Sequence, residues 1–209
     1  MTLVKICGIT NLDDALAAVD AGADALGFNF YKASARYITP HNAREIIEQL
    51  PESVLTVGVF VNEESPADVR SIANAAGVRA VQLHGDESPE YCRDLVADHY
   101  VIKTFTVSGD FDLELARTYK VAAIMLDTKD NCLRGGTGRV FDWSIAQRVR
   151  PLIPKLYLAG GLSPENVAEA VATVRPYAVD ACSALEVTPG RKNNQRTRAF
   201  VEVVRSVKP

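Results

Sequence analysis

Apolar and polar positions follow two alternating rhythms along this chain. Short apolar, β-branched runs of four to six residues begin near Val4, Ala25, Thr56, Ala80, Val101, Ala123, Leu156 and Ala178. Each is bounded by Gly, Asp or polar residues and reads as a strand. Between them, apolar positions recur at helical spacing over 12–21, 43–50, 67–76, 90–97, 113–119, 144–149, 165–174 and 197–204. Start signals accompany several of these helices. Asn11 precedes Leu12, and Ser65-Pro66, Ser88-Pro89 and Ser163-Pro164 each place a Ser N-cap before a Pro at the first turn.

Strands separated by helices are joined by crossovers and therefore run parallel, and eight such units are the number at which a parallel sheet closes. The pattern predicts an α/β fold, a (β/α)8 TIM barrel, as a single domain over residues 1–209. The rival is an open doubly wound sheet, but Cys7-Gly8-Ile9-Thr10 follows the first strand in place of a glycine-rich dinucleotide fingerprint. Successive strand starts are 21, 31, 24, 21, 22, 33 and 22 residues apart. Both long steps carry their surplus after the strand, at 29–40 and 128–142, on the face where such barrels place their active sites.

Composition narrows the function classes. The chain is 47% apolar and 23% charged with a mean hydropathy of zero, which excludes disorder. Its 23 Lys and Arg against 26 Asp and Glu give a charge of -3, without the basic footprint of a nucleic-acid binder. The best apolar run, 54–61, is too short to span a membrane, and residues 1–9 contain Lys5 and no cleavable signal pattern, so a cytoplasmic protein is expected. Cys7, Cys92, Cys132 and Cys182 lie 85, 40 and 50 residues apart, which suggests neither disulfides nor a metal site.

Chemistry is expected at the carboxyl ends of the strands. Lys5 and Cys7 project to the same side of strand one, so an ammonium beside the sulfur would lower the thiol from about 8.5 and make it a base or nucleophile. A small buried hydrophobe is the plainer alternative for Cys7. Cys92 falls in a helix and reads as packing, Cys132 falls in a loop, and Cys182 follows strand eight without an evident charge partner. Asp127 ends an apolar strand, where a carboxyl group caps a loop or serves as a general acid opposite a cysteine base. His84 stands beside a glycine turn, as a titrating group or a hydrogen-bonded structural residue; His41 and His99 read as surface helix residues. Gly160-Gly161 and Ala181-Cys182-Ser183-Ala184 occupy positions where barrels build a phosphate site from backbone N–H groups. Gly135-Gly136-Thr137-Gly138 suits a lid or a loose connector. Arg36, in the long second loop, suits a substrate carboxylate or a solvated surface position.

At these residues the chain resembles the phosphoribosylanthranilate isomerase family. The matching stretches are Val4-Lys5-Ile6-Cys7-Gly8-Ile9-Thr10, Gly22-Ala23-Asp24-Ala25-Leu26-Gly27-Phe28, Arg36-Tyr37-Ile38, Val57-Gly58-Val59-Phe60-Val61 and Val81-Gln82-Leu83-His84-Gly85. Further along follow Leu126-Asp127-Thr128, Gly135-Gly136-Thr137-Gly138 with Phe141-Asp142-Trp143, Leu158-Ala159-Gly160-Gly161-Leu162 and Pro189-Gly190-Arg191-Lys192. The resemblance implies a TIM barrel of tryptophan biosynthesis. Its reaction converts N-(5-phosphoribosyl)anthranilate to the 1-deoxyribulose 5-phosphate derivative by an Amadori rearrangement, with no cofactor and no metal. It further implies Cys7 as base, Asp127 as acid, Arg36 on the anthranilate moiety and Asp180 near its nitrogen. Gly160, Gly161 and Ser183 are implied at the phosphate, and His84 and Gly136 among the substrate-binding residues. The partner is a small phosphosugar, with no nucleic acid and no membrane; monomer and homodimer both stay open. The chain departs from the family where Ala181-Cys182-Ser183-Ala184-Leu185-Glu186 replaces a Ser-Ser-Gly-Val-Glu type of run, with Ala184 at the glycine, and where Ala35 replaces a proline. Another phosphosugar barrel, such as a pentose-phosphate epimerase, would need metal ligands or a different Lys/Glu set. A silent ligand-binding barrel would not need the Cys7/Asp127 pair.

Overall fold

The computed structural model describes residues 1–107, 111–128 and 143–207. Eight parallel strands close into a barrel in sequence order: β1 (Leu3–Ile6), β2 (Ala25–Asn29), β3 (Leu55–Phe60), β4 (Ala80–Leu83), β5 (Tyr100–Val107), β6 (Ala123–Thr128), β7 (Leu156–Leu158) and β8 (Ala178–Ala181). The helices are α1 (Leu12–Asp20), α2 (Pro40–Ile47), α3 (Pro66–Ala76), α4 (Pro89–Leu95), α5 (Leu113–Thr118), α6 (Ser144–Val149), α7 (Val167–Val174) and α8 (Asn194–Ser206). The expected α/β barrel is thus observed. Among the described residues no helix is long and apolar enough to cross a membrane.

The period-two pattern of the strands divides the core. Outward-facing residues such as Val4, Ile6, Leu26, Phe28, Phe60 and Leu83 pack against helix residues including Ala15, Val69, Leu95 and Phe200. Inward-facing Ala25, Val57, Ala80, Ile102, Ala123, Met125, Tyr157, Ala159 and Ala178 fill the barrel. Five of these nine are alanines. The room they leave holds longer polar side chains, of which Lys5 is fully buried and Gln82 nearly so.

Asn11, Ser65 and Ser88 cap their helices as expected, each accepting from the backbone N–H three residues on. Ser163 does not cap α7. Its Oγ accepts from Glu165 N–H at 3.3 Å, and Asn166 Oδ1 accepts from Ser163 N–H at 2.9 Å, so the segment forms a turn before the helix opens at Val167. Two helices start earlier than apolar spacing indicates, because Thr39 caps α2 at Pro40 and Asn193 caps α8 at Asn194. His99 is a second correction: it follows α4, is half-buried, and desolvation lowers its pKa.

Two features lie outside the predicted pattern. Lys103 of β5 points into the helix layer and is buried, donating to Glu87 Oε2 at 2.7 Å and to the Gly85 carbonyl at 2.6 Å. Glu87 in turn accepts from the Asn62 and Gly85 N–H groups, so one buried pair ties together the loops after β3 and β4. After β8, a 3-10 turn (Ser183–Leu185) leads into an antiparallel hairpin, β9 (Glu186–Thr188) and β10 (Arg191–Lys192).

Candidate active site

The mouth formed by the carboxyl ends of the strands is built around the seam where the first strand meets the last. β1 and β8 pair with Lys5 opposite Asp180 and Ile6 opposite Ala181, and the Cys7 N–H donates to the Ala181 carbonyl at 2.9 Å. Register therefore places Lys5 and Asp180 in one inward-facing layer, with Cys7 and Cys182 in the next layer towards the mouth.

In the lower layer, Lys5 Nζ lies 2.9 Å from Asp180 Oδ1, with the lysine side chain fully buried and the aspartate 9% exposed. Burial opposes the charge on Lys5, but the facing Asp180 carboxylate and the Cys7 sulfur outweigh it and raise the lysine's pKa. Burial pushes Asp180 up to about 7 despite Lys5, with Cys7 and Asp127 adding to the rise. Both Lys5 and Cys7 lean over Gly27 of β2. A Cβ at that position would stand 2.7 Å from Cys7 Sγ and 3.1 Å from Lys5 Nζ, so the absence of a side chain there makes the ammonium–sulfur layer possible.

In the upper layer the neighbouring Cys182 thiol, with the Lys5 and Lys192 ammonium groups, holds Cys7 well below the ordinary thiol range in spite of burial. The same contact raises Cys182. Cys182 does have charge partners, contrary to the sequence expectation: Lys192 Nζ is 3.8 Å from its sulfur and Glu186 Oε1 is 3.9 Å away. They arrive on the hairpin. Lys192, its side chain fully buried, also binds Glu186 at 3.0 Å.

Arg36 is half-buried and paired. Its Nε lies 2.9 and 3.1 Å from the two oxygens of Glu186, and its Nη2 is 2.6 Å from Oε2. This fork raises the arginine's pKa; burial works against the Glu186 carboxylate, but Arg36 and Lys192 hold it below its usual range. Nη1 makes no hydrogen bond among the described residues, which leaves one donor edge for a ligand.

Across the barrel, His84 Nε2 stands 3.3 Å from Asp127 Oδ2, and the Gln82 amide donates to His84 Nδ1 at 3.3 Å. His84 and Asp127 are each about a quarter exposed at the mouth. After β7, Gly160 and Gly161 adopt φ of 92° and 65°, and neither N–H makes a hydrogen bond among the described residues. Ala184 lies inside the 3-10 turn and is not in the left-handed region, so no glycine is needed there. Ser183, exposed, opens that turn.

The residues expected from the sequence, Cys7, Arg36, His84, Asp127, Asp180, Gly160, Gly161 and Ser183, all lie at or beyond the carboxyl ends of the strands, at one mouth of the barrel. Glu186, Lys192 and the role of Cys182 were missed. The one usable signal was Pro189-Gly190 between two short extended runs, which marks a hairpin turn. Gly136 with the rest of Gly135-Gly136-Thr137-Gly138, Cys132 and the surplus loop 129–142 lie outside the described residues. Cys92 is buried in α4, as expected of a packing residue. Among the described residues no group of three or more His, Cys, Asp or Glu side chains could hold a metal ion.

The sequence profile for N-(5'-phosphoribosyl)anthranilate (PRA) isomerase matches residues 4–203. The chain is 51% identical over 201 residues to the N-(5'-phosphoribosyl)anthranilate isomerase of Geobacter sulfurreducens, covering 96% of this chain and 97% of the relative. The crystal structure of phosphoribosyl anthranilate isomerase from Thermotoga maritima superimposes with a TM-score of 0.91 at 47% identity, over 98% of this chain and 99% of that one. A crystal structure of such an isomerase in complex with reduced 1-(o-carboxyphenylamino)-1-deoxyribulose 5-phosphate gives a TM-score of 0.89 at 45% identity, over 98% and 99% of the two chains. The chain belongs to the N-(5'-phosphoribosyl)anthranilate isomerase family.

Proposed function

We propose that this isomerase converts N-(5-phosphoribosyl)anthranilate to 1-(2-carboxyphenylamino)-1-deoxyribulose 5-phosphate in tryptophan biosynthesis, by an Amadori rearrangement with Asp127 as acid and Cys7 as base. Asp127 protonates the furanose ring oxygen, the bond from that oxygen to C1 breaks, and the anthranilate nitrogen supplies the electron pair for a C1 imine. The Cys7 thiolate then removes the C2 proton, and its electrons flow to the nitrogen to give an enolamine. Return of a proton to C1, with loss of the C2 hydroxyl proton, yields the ketone. Every step moves only protons and electron pairs of the substrate.

The observation that carries the reading is the setting of Cys7, a sulfur held well below the ordinary thiol range by the neighbouring Cys182 thiol and two ammonium groups, inside a mouth that also presents a carboxyl group 3.3 Å from His84 Nε2. The remaining groups match the parts of the substrate. Arg36 Nη1 is directed to the anthranilate carboxylate. Asp180 Oδ2, which accepts no hydrogen bond among the described residues, takes the anthranilate N–H. The unpaired N–H groups of Gly160 and Gly161, with Ser183, take the phosphate. His84 orients Asp127. Fluorescence-monitored consumption of the anthranilate adduct tests the assignment: Cys7→Ser and Asp127→Asn should each lower kcat by about 10²- to 10⁴-fold with KM little changed. Near-normal turnover in either variant would overturn it.

A further inference from the structure

The proton transfers use Cys7 alone and leave one feature of the seam between β1 and β8 without a part, the second thiol set beside it. Cys7 and Cys182 are both free thiols, and they follow directly on the register pair Ile6 and Ala181. Neighbouring strands lie about 4.8 Å apart in the hydrogen-bonding direction, which falls inside the range of about 4.4 to 6.8 Å over which Cα atoms accept a disulfide. Lys5 and Asp180 fix the facing of the side chains: they meet at 2.9 Å one layer below, and the residues two positions further on project to the same side. The sulfurs occupy the spaces left by two glycines. A Cβ on Gly27 would meet Cys7 Sγ at 2.7 Å, and one on Gly8 would meet Cys182 Sγ at 3.0 Å.

We propose that Cys7 and Cys182 form an oxidisable pair, which a small peroxide entering the mouth closes to a reversible disulfide. The Cys7 thiolate attacks one peroxide oxygen and the O–O bond breaks. Sulfur gives up two electrons to the peroxide, hydroxide leaves, and Cys7 becomes a sulfenic acid. The Cys182 sulfur then attacks Cys7, the S–S bond forms as the S–O bond breaks, and the departing hydroxide takes the Cys182 proton as water. The first hydroxide takes up the proton released when Cys7 ionised. Two thiols and one hydrogen peroxide therefore give one disulfide and two waters. Lys192, 3.8 Å from Cys182, stabilises the second sulfur as it loses its proton. Cys92 stays outside this chemistry, because burial raises it to about 11.

Bridging would take from the enzyme the base assigned to Cys7, a consequence that rests on the proposed function; the bond itself does not. The experiment exposes the reduced, native protein to hydrogen peroxide, blocks remaining thiols with N-ethylmaleimide and maps the peptides by mass spectrometry, each variant's turnover being read against its own untreated rate. The expected product is a linked Cys7–Cys182 peptide pair lighter by two hydrogens, with Cys92 alkylated. Turnover should fall by about a hundredfold in the bridged fraction and return with dithiothreitol. In Cys182→Ser, Cys7 should instead react with dimedone as a sulfenic acid and pass on to sulfinic acid, a loss that dithiothreitol does not reverse. Absence of the linked pair, or overoxidation of Cys7 at the same rate with and without Cys182, would overturn the proposal. A linked pair with full turnover would uphold the bond and overturn the assignment of Cys7 as base.

Discussion

Replacing Asp180 by Asn keeps the volume and an acceptor oxygen for Lys5 but removes the charge that balances a fully buried ammonium. At the observed 2.9 Å, the gross attraction is about 6 kcal/mol at an effective dielectric of about 20. Removing one partner of a buried pair costs about 3–5 kcal/mol because the survivor stays desolvated. A domain of this size loses about 2–4 °C in Tm per kcal/mol, so Asp180→Asn should unfold roughly 6–20 °C below the wild type. The converse variant, Lys5→Met, is milder, because burial already pushes Asp180 up to about 7 and a neutral carboxyl group needs no cation. The sign follows from linkage. With its folded pKa above the unfolded value, Asp180 holds an extra proton in the folded state, a contribution complete below about pH 4 and lost as pH rises through the folded value. Without Lys5 that folded value rises further, so Lys5→Met should be less destabilised at about pH 5.5 than at about pH 8.5. Thermal and urea unfolding of both single variants and the double variant complete the cycle. Asp180→Asn melting within about 2 °C of wild type, or a double variant destabilised by the full sum of the singles, would refute the reasoning.

Other outcomes follow from the same geometry. Because the Cys182 thiol is the largest influence lowering Cys7, kcat/KM should fall on acidification through Cys7's value, and Cys182→Ala should move that limb to higher pH; a limb that stays in place would refute that influence. Gly27→Ala would put a methyl group 2.7 Å from Cys7 Sγ, so it should depress kcat more than Tm, as separate kinetic and melting measurements would read. Glu186→Gln should raise KM through disorder of Arg36, by about tenfold for the loss of roughly 1.4 kcal/mol of positioning, and should leave Asp127 chemistry intact. Glu87→Gln should lower stability by about 3–5 kcal/mol in urea unfolding, since Lys103 and Glu87 are both buried.

The barrel was legible because its signals are local: eight period-two runs, eight helices that open within about three residues of their spacing, and caps such as Ser65-Pro66 that are read three residues at a time. Where a local rule misled, a neighbour competed for the same group. Asn166 takes the Ser163 N–H, and the helix after Ser163-Pro164 starts late. The single residues of the site were legible by their position at strand ends, and their partners were not. Arg36 meets Glu186 across 150 positions, and Lys5 meets Asp180 across 175. Spacing along one element cannot report such pairs, so Arg36 looked free and Cys182 looked unpartnered. Lys103 was hidden for another reason: on a strand, a lysine reads as a break in an apolar run, and only the fold reveals Glu87 beneath it.

The seam between β1 and β8 also orders events in time. Of the groups that lower Cys7, Lys5 shares its strand, but Cys182 and Lys192 come from the opposite end of the sequence, so they reach it only when the intervening strands are in place. Bringing such distant segments together is the slow, late part of folding for a closed parallel sheet. A ring lacking its last strand could keep the stacked helices and much of the apolar interior, yet it would have no Asp180, no Cys182 and no Lys192. Turnover is therefore a reporter of ring closure, and in refolding it should return after the far-ultraviolet signal of the helices. The reaction begins only when the circle is complete.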